Sequence, residues 1–319
     1  MLTKPHFPLA IDSTILGTFR SCPQKSFRQY MEHWKPAAES VHLIAGGAFA
    51  DGIEAARRAF YENGNSPADS IAFGLSALIT KYGDFQCPPE SAKSLERTAG
   101  ALEFYFDNYP LGADGAEPIT FPNGKRGIEF SFACPLPVNH PVTGEPLLYT
   151  GRSDMIAEAY GGEYIYDEKT TTSLGASWAK QWELRSQFTG YCWSAQQFGR
   201  KPTGVVVRGV SILKTKYDTL QVMSYRAQHE IDRWLEQTTR DLHRMVNCWE
   251  EGYWDYNLDH SCAEYGGCAF QTVCKSADPQ PWLENYFVQR VWNPLAKKEQ
   301  SLEEYNAEIE SFLKDSLVP

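Results

Sequence analysis

Three groups of side chains in this 319-residue sequence have the types and spacing to do chemistry together. Asp154 lies in Gly151-Arg152-Ser153-Asp154, and Asp167-Glu168-Lys169 follows thirteen residues later. Gln187 and Tyr191 then fall four apart. Successive side chains of a strand point to opposite faces, so Asp167 and Lys169 share one face and Glu168 turns away. A neighbouring strand carrying Asp154 would bring two carboxylates side by side. Such a pair resists double ionisation unless a cation sits between the two groups. Mg²⁺ or Mn²⁺ suits it, being a hard cation that takes oxygen ligands and keeps several waters. Water on such an ion can attack phosphorus, and Lys169 would orient it or offset charge in the transition state. Gln187 and Tyr191, one helical turn apart, share a face from which they could hydrogen-bond a phosphate or a base. The expected chemistry is phosphodiester hydrolysis.

The elements that must position these groups can be read from periodicity. Residues 13–32 read as a helix capped by Ser13 and broken at Pro23, and residues 44–62, 66–83 and 90–108 as further helices. Residues 126–135, 147–158 and 162–170 are rich in strand formers, with a hairpin signal at Gly161-Gly162. Residues 176–199 return to helical spacing. Residues 203–213 and 218–226 read as two more strands, 227–251 as a long amphipathic helix and 283–316 as an acidic helical tail. The expected fold class is α/β: a mixed central β-sheet flanked by helices, with an N-terminal helical region.

Composition sets the bounds. Hydrophobic residues make up 42% and charged residues 22%, ordinary values for a globular protein. No apolar run reaches the length of a membrane helix, and the N-terminus lacks the apolar core of a signal peptide; both point to a cytoplasmic protein with no membrane partner. A net charge of −10 argues against non-specific coating of nucleic acid but leaves room for a local basic track. Of eight cysteines, three crowd into Cys262-x5-Cys268-x5-Cys274. Reduced thiols at such spacing are usually ligands of a soft metal or a cluster. Three thiolates leave such a site one ligand short. Cys87, Cys134, Cys192 and Cys248 are scattered in apolar settings and read as buried structural thiols.

The ordered set of motifs resembles the PD-(D/E)XK nuclease superfamily, in particular its RecB-like branch, which includes CRISPR-associated exonucleases and AddB-type helicase-nucleases. That branch carries Gly-x-x-Asp, Asp-x-Lys and Gln-x-x-x-Tyr, here Gly151/Asp154, Asp167/Lys169 and Gln187/Tyr191. The stretch Phe19-Arg20-Ser21-Cys22-Pro23 is similar to its opening Cys-Pro motif. The resemblance implies a restriction-endonuclease-like fold. It implies a nuclease domain over residues 1–275, with a helical part at about 44–110, a catalytic core at about 126–226 and a cysteine-rich region at 260–275, followed by a tail over 276–319. It assigns catalysis to Asp154, Asp167, Lys169, Gln187 and Tyr191. The branch's usual metal-binding His falls at Ala50; Glu54, one turn on, is a candidate replacement beside Asp154 and Asp167. Cys22 would join Cys262, Cys268 and Cys274 around a 4Fe–4S cluster, with zinc, and His260 as a substitute ligand, as the alternative. The implied protein is a metal-dependent deoxyribonuclease, an exonuclease or single-strand-acting enzyme of recombination, repair or phage DNA metabolism. No helicase P-loop is present, so any unwinding or recombination partner would be a separate chain. The alternative is a catalytically silent DNA- or protein-binding module of the same fold.

Overall fold

The computed structural model describes residues 5–258, 260–263, 267–296, 298–301 and 303–304. Helix α1 (Ser13–Ser21) is capped by Asp12, whose carboxylate accepts from Thr14 N at 2.9 Å and Ile15 N at 2.8 Å; Ser13, the expected cap, is the first helical residue. The helix stops at Cys22, which is extended because Pro23 disfavours helical backbone in the residue before it. Helices α2 (Val41–Tyr61), α3 (Pro67–Tyr82) and α4 (Leu95–Asn108) follow, the last two capped by Ser66 and Ser94. Strands β1 (Ile128–Asn139), β2 (Pro146–Ala159) and β3 (Gly162–Thr171) come next. A two-residue turn joins β2 to β3, with positive φ at Tyr160 and Gly161, the geometry tight hairpins favour. Helix α5 (Ser186–Gln197), strands β4 (Gly204–Ile212) and β5 (Tyr217–Tyr225) and helix α6 (Gln228–Glu251) complete the labelled elements.

Residues 39–131 and 152–231 form one compact unit. Its sheet is mixed: β2 runs antiparallel to β3, β3 parallel to β4, and β4 antiparallel to β5. All nine residues of β4 are buried, as the Val205-Val206-Val207 run requires of a strand covered on both faces. Val210 and Ile212 pack one face against α2, α3 and α4. Gly209 points the other way, where Trp178 stands so close that a Cβ on Gly209 would lie 2.4 Å from its ring. Helices α2 and α3 touch through their backbones: a Cβ on Gly74 would lie 2.6 Å from the Gly52 carbonyl oxygen. This unit is a mixed sheet with helices on both faces, in agreement with the expected fold class.

The described residues among 1–38, 132–151 and 232–319 form the other compact unit. Here Ala10–Ile11 pairs in parallel with Leu148–Tyr149, and Arg20 of α1 donates to Asp241 of α6 at 2.7 Å. The Asp12 cap also accepts from Trp292 Nε1 at 2.6 Å. Trp34–Pro36 pairs antiparallel with Phe287–Gln289, and Phe270, Val273, Leu283 and Phe287 form a small core.

Two further expectations need correction. Residues 176–199 are not one helix: Ala176–Lys180 and α5 are separated by turns, where the Trp182 carbonyl accepts from Arg226 and the Glu183 carbonyl from Ser224. The tail is not helical from residue 283 onward. The helix ends at Tyr286, and Phe287–Gln289, Val291–Asn293 and Lys298–Gln300 are strands. Pro294 opposes helix, and Phe287, Val288, Val291 and Trp292 favour strand. The part of the expected tail helix over residues 305–316 lies outside the described residues.

Candidate active site

Strand β3 carries Asp167, Glu168 and Lys169 at its buried centre, and alternation splits them as expected. Asp167 and Lys169 form an ion pair on one face. Glu168 turns to the opposite face, towards α2 and α4. The pairing of Met155 with Tyr166 places Asp154 beside Asp167 at the next step along the ladder. Asp154 is locked there by the Glu168 backbone N–H, which donates to its Oδ2 at 2.8 Å. The sheet therefore brings Asp154, Asp167 and Lys169 together.

Burial and mutual repulsion dominate the charge state. Burial pushes the Asp154 carboxyl well above the usual carboxylate range, and the charges of Asp167 and Glu168 push it further. Burial also raises Asp167, while Lys169 opposes the rise. For Lys169, burial acts to lower its affinity for a proton, but Asp167 and Asp154 outweigh that and raise it. Two adjacent carboxylates held above their normal range are what a missing positive charge would relieve. Their oxygens are hard donors, so a hydrated divalent cation fits the donor set. Among the described residues, no three His, Cys, Asp or Glu side chains are gathered as tightly as a metal's ligands are.

Glu168 is a residue that spacing alone did not single out. Its carboxylate accepts from both terminal nitrogens of Arg57 and from the Tyr105 hydroxyl at 2.9 Å. Arg208 extends the network, donating to Tyr105 at 3.3 Å and to Asp114 at 2.7 Å. Burial would raise Glu168, but Arg57 and then Arg208 overcome it and hold the carboxyl down at about 2. Glu168 thus anchors the strand that presents Asp167 and Lys169.

Glu54, the candidate replacement for the histidine, accepts from Arg58 Nε at 2.9 Å and stands 3.9 Å from Arg152. Arg152 meanwhile pairs at 2.6 Å with Glu129, a second residue that sequence reasoning missed. Glu129 has φ +52°, rare for a non-glycine residue, and burial pushes its carboxyl up to about 7. Its charge reaches Asp154. The available signal was a carboxylate inside the apolar run Gly127-Ile128-Glu129-Phe130.

Gln187 and Tyr191 share one face of α5, and Gln187 Nε2 donates to the Tyr191 hydroxyl at 2.9 Å. Helix α5 packs on β3, and the charge of Arg185, just before the helix, reaches Asp167. The helix therefore covers the sheet face that carries Asp167. Of the basic residues that could form a track, Arg28 pairs with Glu32 and Arg200 with Glu163.

In the other unit, Cys22, Cys262, Cys268 and Cys274 all line one cavity of about 280 Å³. Burial raises the Cys274 thiol, and its three partners raise it further. The Cys268 N–H donates to the Cys262 carbonyl at 2.9 Å, which folds the two cysteines back on each other. Cys134 and Cys192 are buried, and Cys87 and Cys248 are partly buried.

The sequence model of the PD-(D/E)XK nuclease superfamily matches residues 14–275. No curated protein matches at a significant level. Among solved structures, a candidate exonuclease from Eubacterium rectale is similar, at 13% identity over 79% of this chain and 86% of its own, with a TM-score of 0.47. The crystallised protein SSO0001 is similar at 16% identity over 60% of this chain and 74% of its own, with a TM-score of 0.26. The matched span includes every residue of the acidic site, the Gln187–Tyr191 pair and all four cysteines of the cavity. On the strength of that match, the chain belongs to the PD-(D/E)XK nuclease superfamily.

Proposed function

We propose that this protein is a divalent-metal-dependent deoxyribonuclease of the RecB-like branch. The observation that carries the reading is the pairing of Asp154 with Asp167 beside Lys169 on one sheet face. Asp154 and Asp167 would hold Mg²⁺ or Mn²⁺, which supplies an activated water and charge stabilisation at phosphorus. Lys169, kept protonated by its two carboxylate neighbours, orients the attacking water and offsets negative charge as the phosphorus adds a fifth oxygen. Gln187 and Tyr191, already bonded to each other, hold the backbone of the scissile strand. Glu168 keeps β3 in register and takes no part in proton transfer. Glu54, tied to Arg58 and Arg152, would reach an ion only by giving up those partners.

Cys22, Cys262, Cys268 and Cys274 would hold a 4Fe–4S cluster, a soft-donor set around a single cavity. Its role would be structural, tying the Cys22–Pro23 break to the cysteine-rich loop. An exonuclease or single-strand-acting role in recombination, repair or phage DNA metabolism, alongside a separate helicase or recombination protein, completes the proposal.

Incubation of purified protein with end-labelled single- and double-stranded DNA in Mg²⁺, Mn²⁺ or EDTA tests the nuclease reading. Cleavage with metal, lost in Asp167→Ala and in Lys169→Ala, is the expected result. No cleavage with any divalent ion would replace the nuclease by a silent binding module.

A further inference from the structure

A groove beside the acidic cluster has the chemistry of a platform for unstacked bases. It encloses about 810 Å³, room for a nucleotide-sized ligand, and lies wholly within the unit that carries the acidic site. Its outer wall is a hairpin over residues 120–126. There Thr120 bridges Arg126, Phe121 N donates to the Lys125 carbonyl at 2.8 Å, and Gly124 makes the turn at φ +80°. The hairpin lifts Phe121 against Phe130 of β1, with ring centroids 5.1 Å apart and planes at 19°. Phe198, at the end of α5, meets Phe130 edge-on at 5.2 Å and is 45% exposed. The result is a cluster of three aromatic rings, a shelf with Phe198 exposed, Phe121 and Phe130 partly buried, and the Arg200 guanidinium 5.9 Å over the Phe121 ring.

Both signs of charge stand around the shelf, and most of its basic groups are paired with carboxylates. Lys125 is exposed at the hairpin tip and makes no ion pair among the described residues. Arg126 pairs with Glu117, but its Nε is buried without a hydrogen bond. Arg58 lines the groove and holds Glu54 and Glu62, while Glu129, also in its lining, is a residue whose charge reaches Asp154. One wall of the groove is therefore in electrostatic reach of the acidic site.

We infer that this groove binds single-stranded DNA, stacking its bases on Phe121 and Phe198 and meeting its phosphates with Lys125 and Arg126. The inference rests on the nuclease reading for its substrate and deepens it by naming the strandedness. Bases offer their faces to aromatic rings only when unstacked, so a closed duplex gains nothing from the shelf. Without that role, the rings would serve only to anchor the hairpin.

The experiment measures binding by the full chain carrying Asp167→Asn, so that the DNA stays intact. The probes are a fluorescein-labelled 12-nucleotide oligo(dT), a 12-base-pair duplex, and an oligonucleotide with 2-aminopurine near its end. Phe121→Leu and Phe198→Leu keep apolar volume and remove the ring. Each should weaken oligo(dT) binding by ~5- to ~100-fold, leave duplex binding within about twofold, and relieve the 2-aminopurine quenching. Lys125→Ala should flatten the salt dependence of oligo(dT) binding by about one phosphate contact. Unchanged oligo(dT) affinity in both leucine variants overturns the inference, as does equal loss on both DNAs, which marks a hairpin anchor. Absence of oligo(dT) binding by the parent overturns it too. The outcomes separate the two readings: if the wild-type chain cleaves DNA but the leucine variants bind like the parent, only the groove assignment fails. If the wild-type chain cleaves nothing yet binding depends on Phe198, only the nuclease reading fails.

Discussion

Replacing Glu168 by Gln should destabilise the protein by about 3 kcal/mol at pH 7. The side chain is 1% exposed, and its main partner, Arg57, is 4% exposed. Its folded pKa lies at about 2 against an ordinary value of 4.5. Burial acts to raise it, so the depression measures how far the Arg57 guanidinium and its two hydrogen bonds exceed the desolvation penalty. At 1.36 kcal/mol per pH unit, a gap from 4.5 to about 2 corresponds to about 3 kcal/mol. Removing one partner of a buried ion pair typically costs ~3–5 kcal/mol, because the other charge is left stranded, so the two routes agree. The sign of the pH dependence follows from a depressed acid pKa. The stabilisation is fully present above pH 4.5 and is lost as pH falls through about 2. Urea unfolding followed by tryptophan fluorescence, from pH 7 down to pH 2.5, measures it. The gap between wild type and Glu168→Gln should be widest at pH 7 and narrow steadily below pH 4.5. A variant within 0.5 kcal/mol of wild type at pH 7, or a gap that stays constant with pH, would refute the reasoning. Arg57→Met combined with Glu168→Leu should cost less than Glu168→Gln alone, since the Arg57 charge is then not left buried without its carboxylate, and Arg208 keeps Asp114.

The acidic site should show the opposite sign. Asp154→Asn keeps an acceptor for the Glu168 N–H but removes a carboxylate that burial and Asp167 disfavour, so it should raise Tm at pH 8 while abolishing cleavage; a lower Tm would show that the carboxylate is not under electrostatic strain. In the cysteine cavity, Cys22→Ser should lose bound iron, read by metal analysis of anaerobically purified protein, whereas Cys192→Ser should retain it; one zinc and no iron in the wild type would reject the cluster and keep the site. Gly74→Ala should cost about 1–3 kcal/mol in urea unfolding, because its Cβ would meet the Gly52 carbonyl oxygen at 2.6 Å where α2 and α3 touch; a neutral variant would mean the helices separate easily.

Local chemistry was enough to read much of this chain. The strands over residues 128–171 and 204–225 follow from alternation, β-branched runs and the Gly161-Gly162 hairpin signal, whose turn falls one residue earlier at Tyr160-Gly161, all of which act within a few residues. The same alternation separates Asp167 and Lys169 from Glu168, because the pleat assigns faces whatever the strand packs against. The break at Cys22 follows from Pro23 in the same way. What the sequence could not reveal depends on partners far apart in the chain. Glu168 is an anchor only because folding places Arg57, 111 residues away, against it. Glu54 stands 3.9 Å from Arg152, 98 positions on, a neighbour that helical spacing does not reveal. Glu129 acquires its role only once β1 buries it beside Asp154. The tail after Tyr286 becomes strand because Trp34–Pro36 offers an unpaired edge to Phe287–Gln289. In each case the deciding energy is a charge or hydrogen bond whose strength depends on burial, and burial is a property of the folded chain rather than of any segment of it.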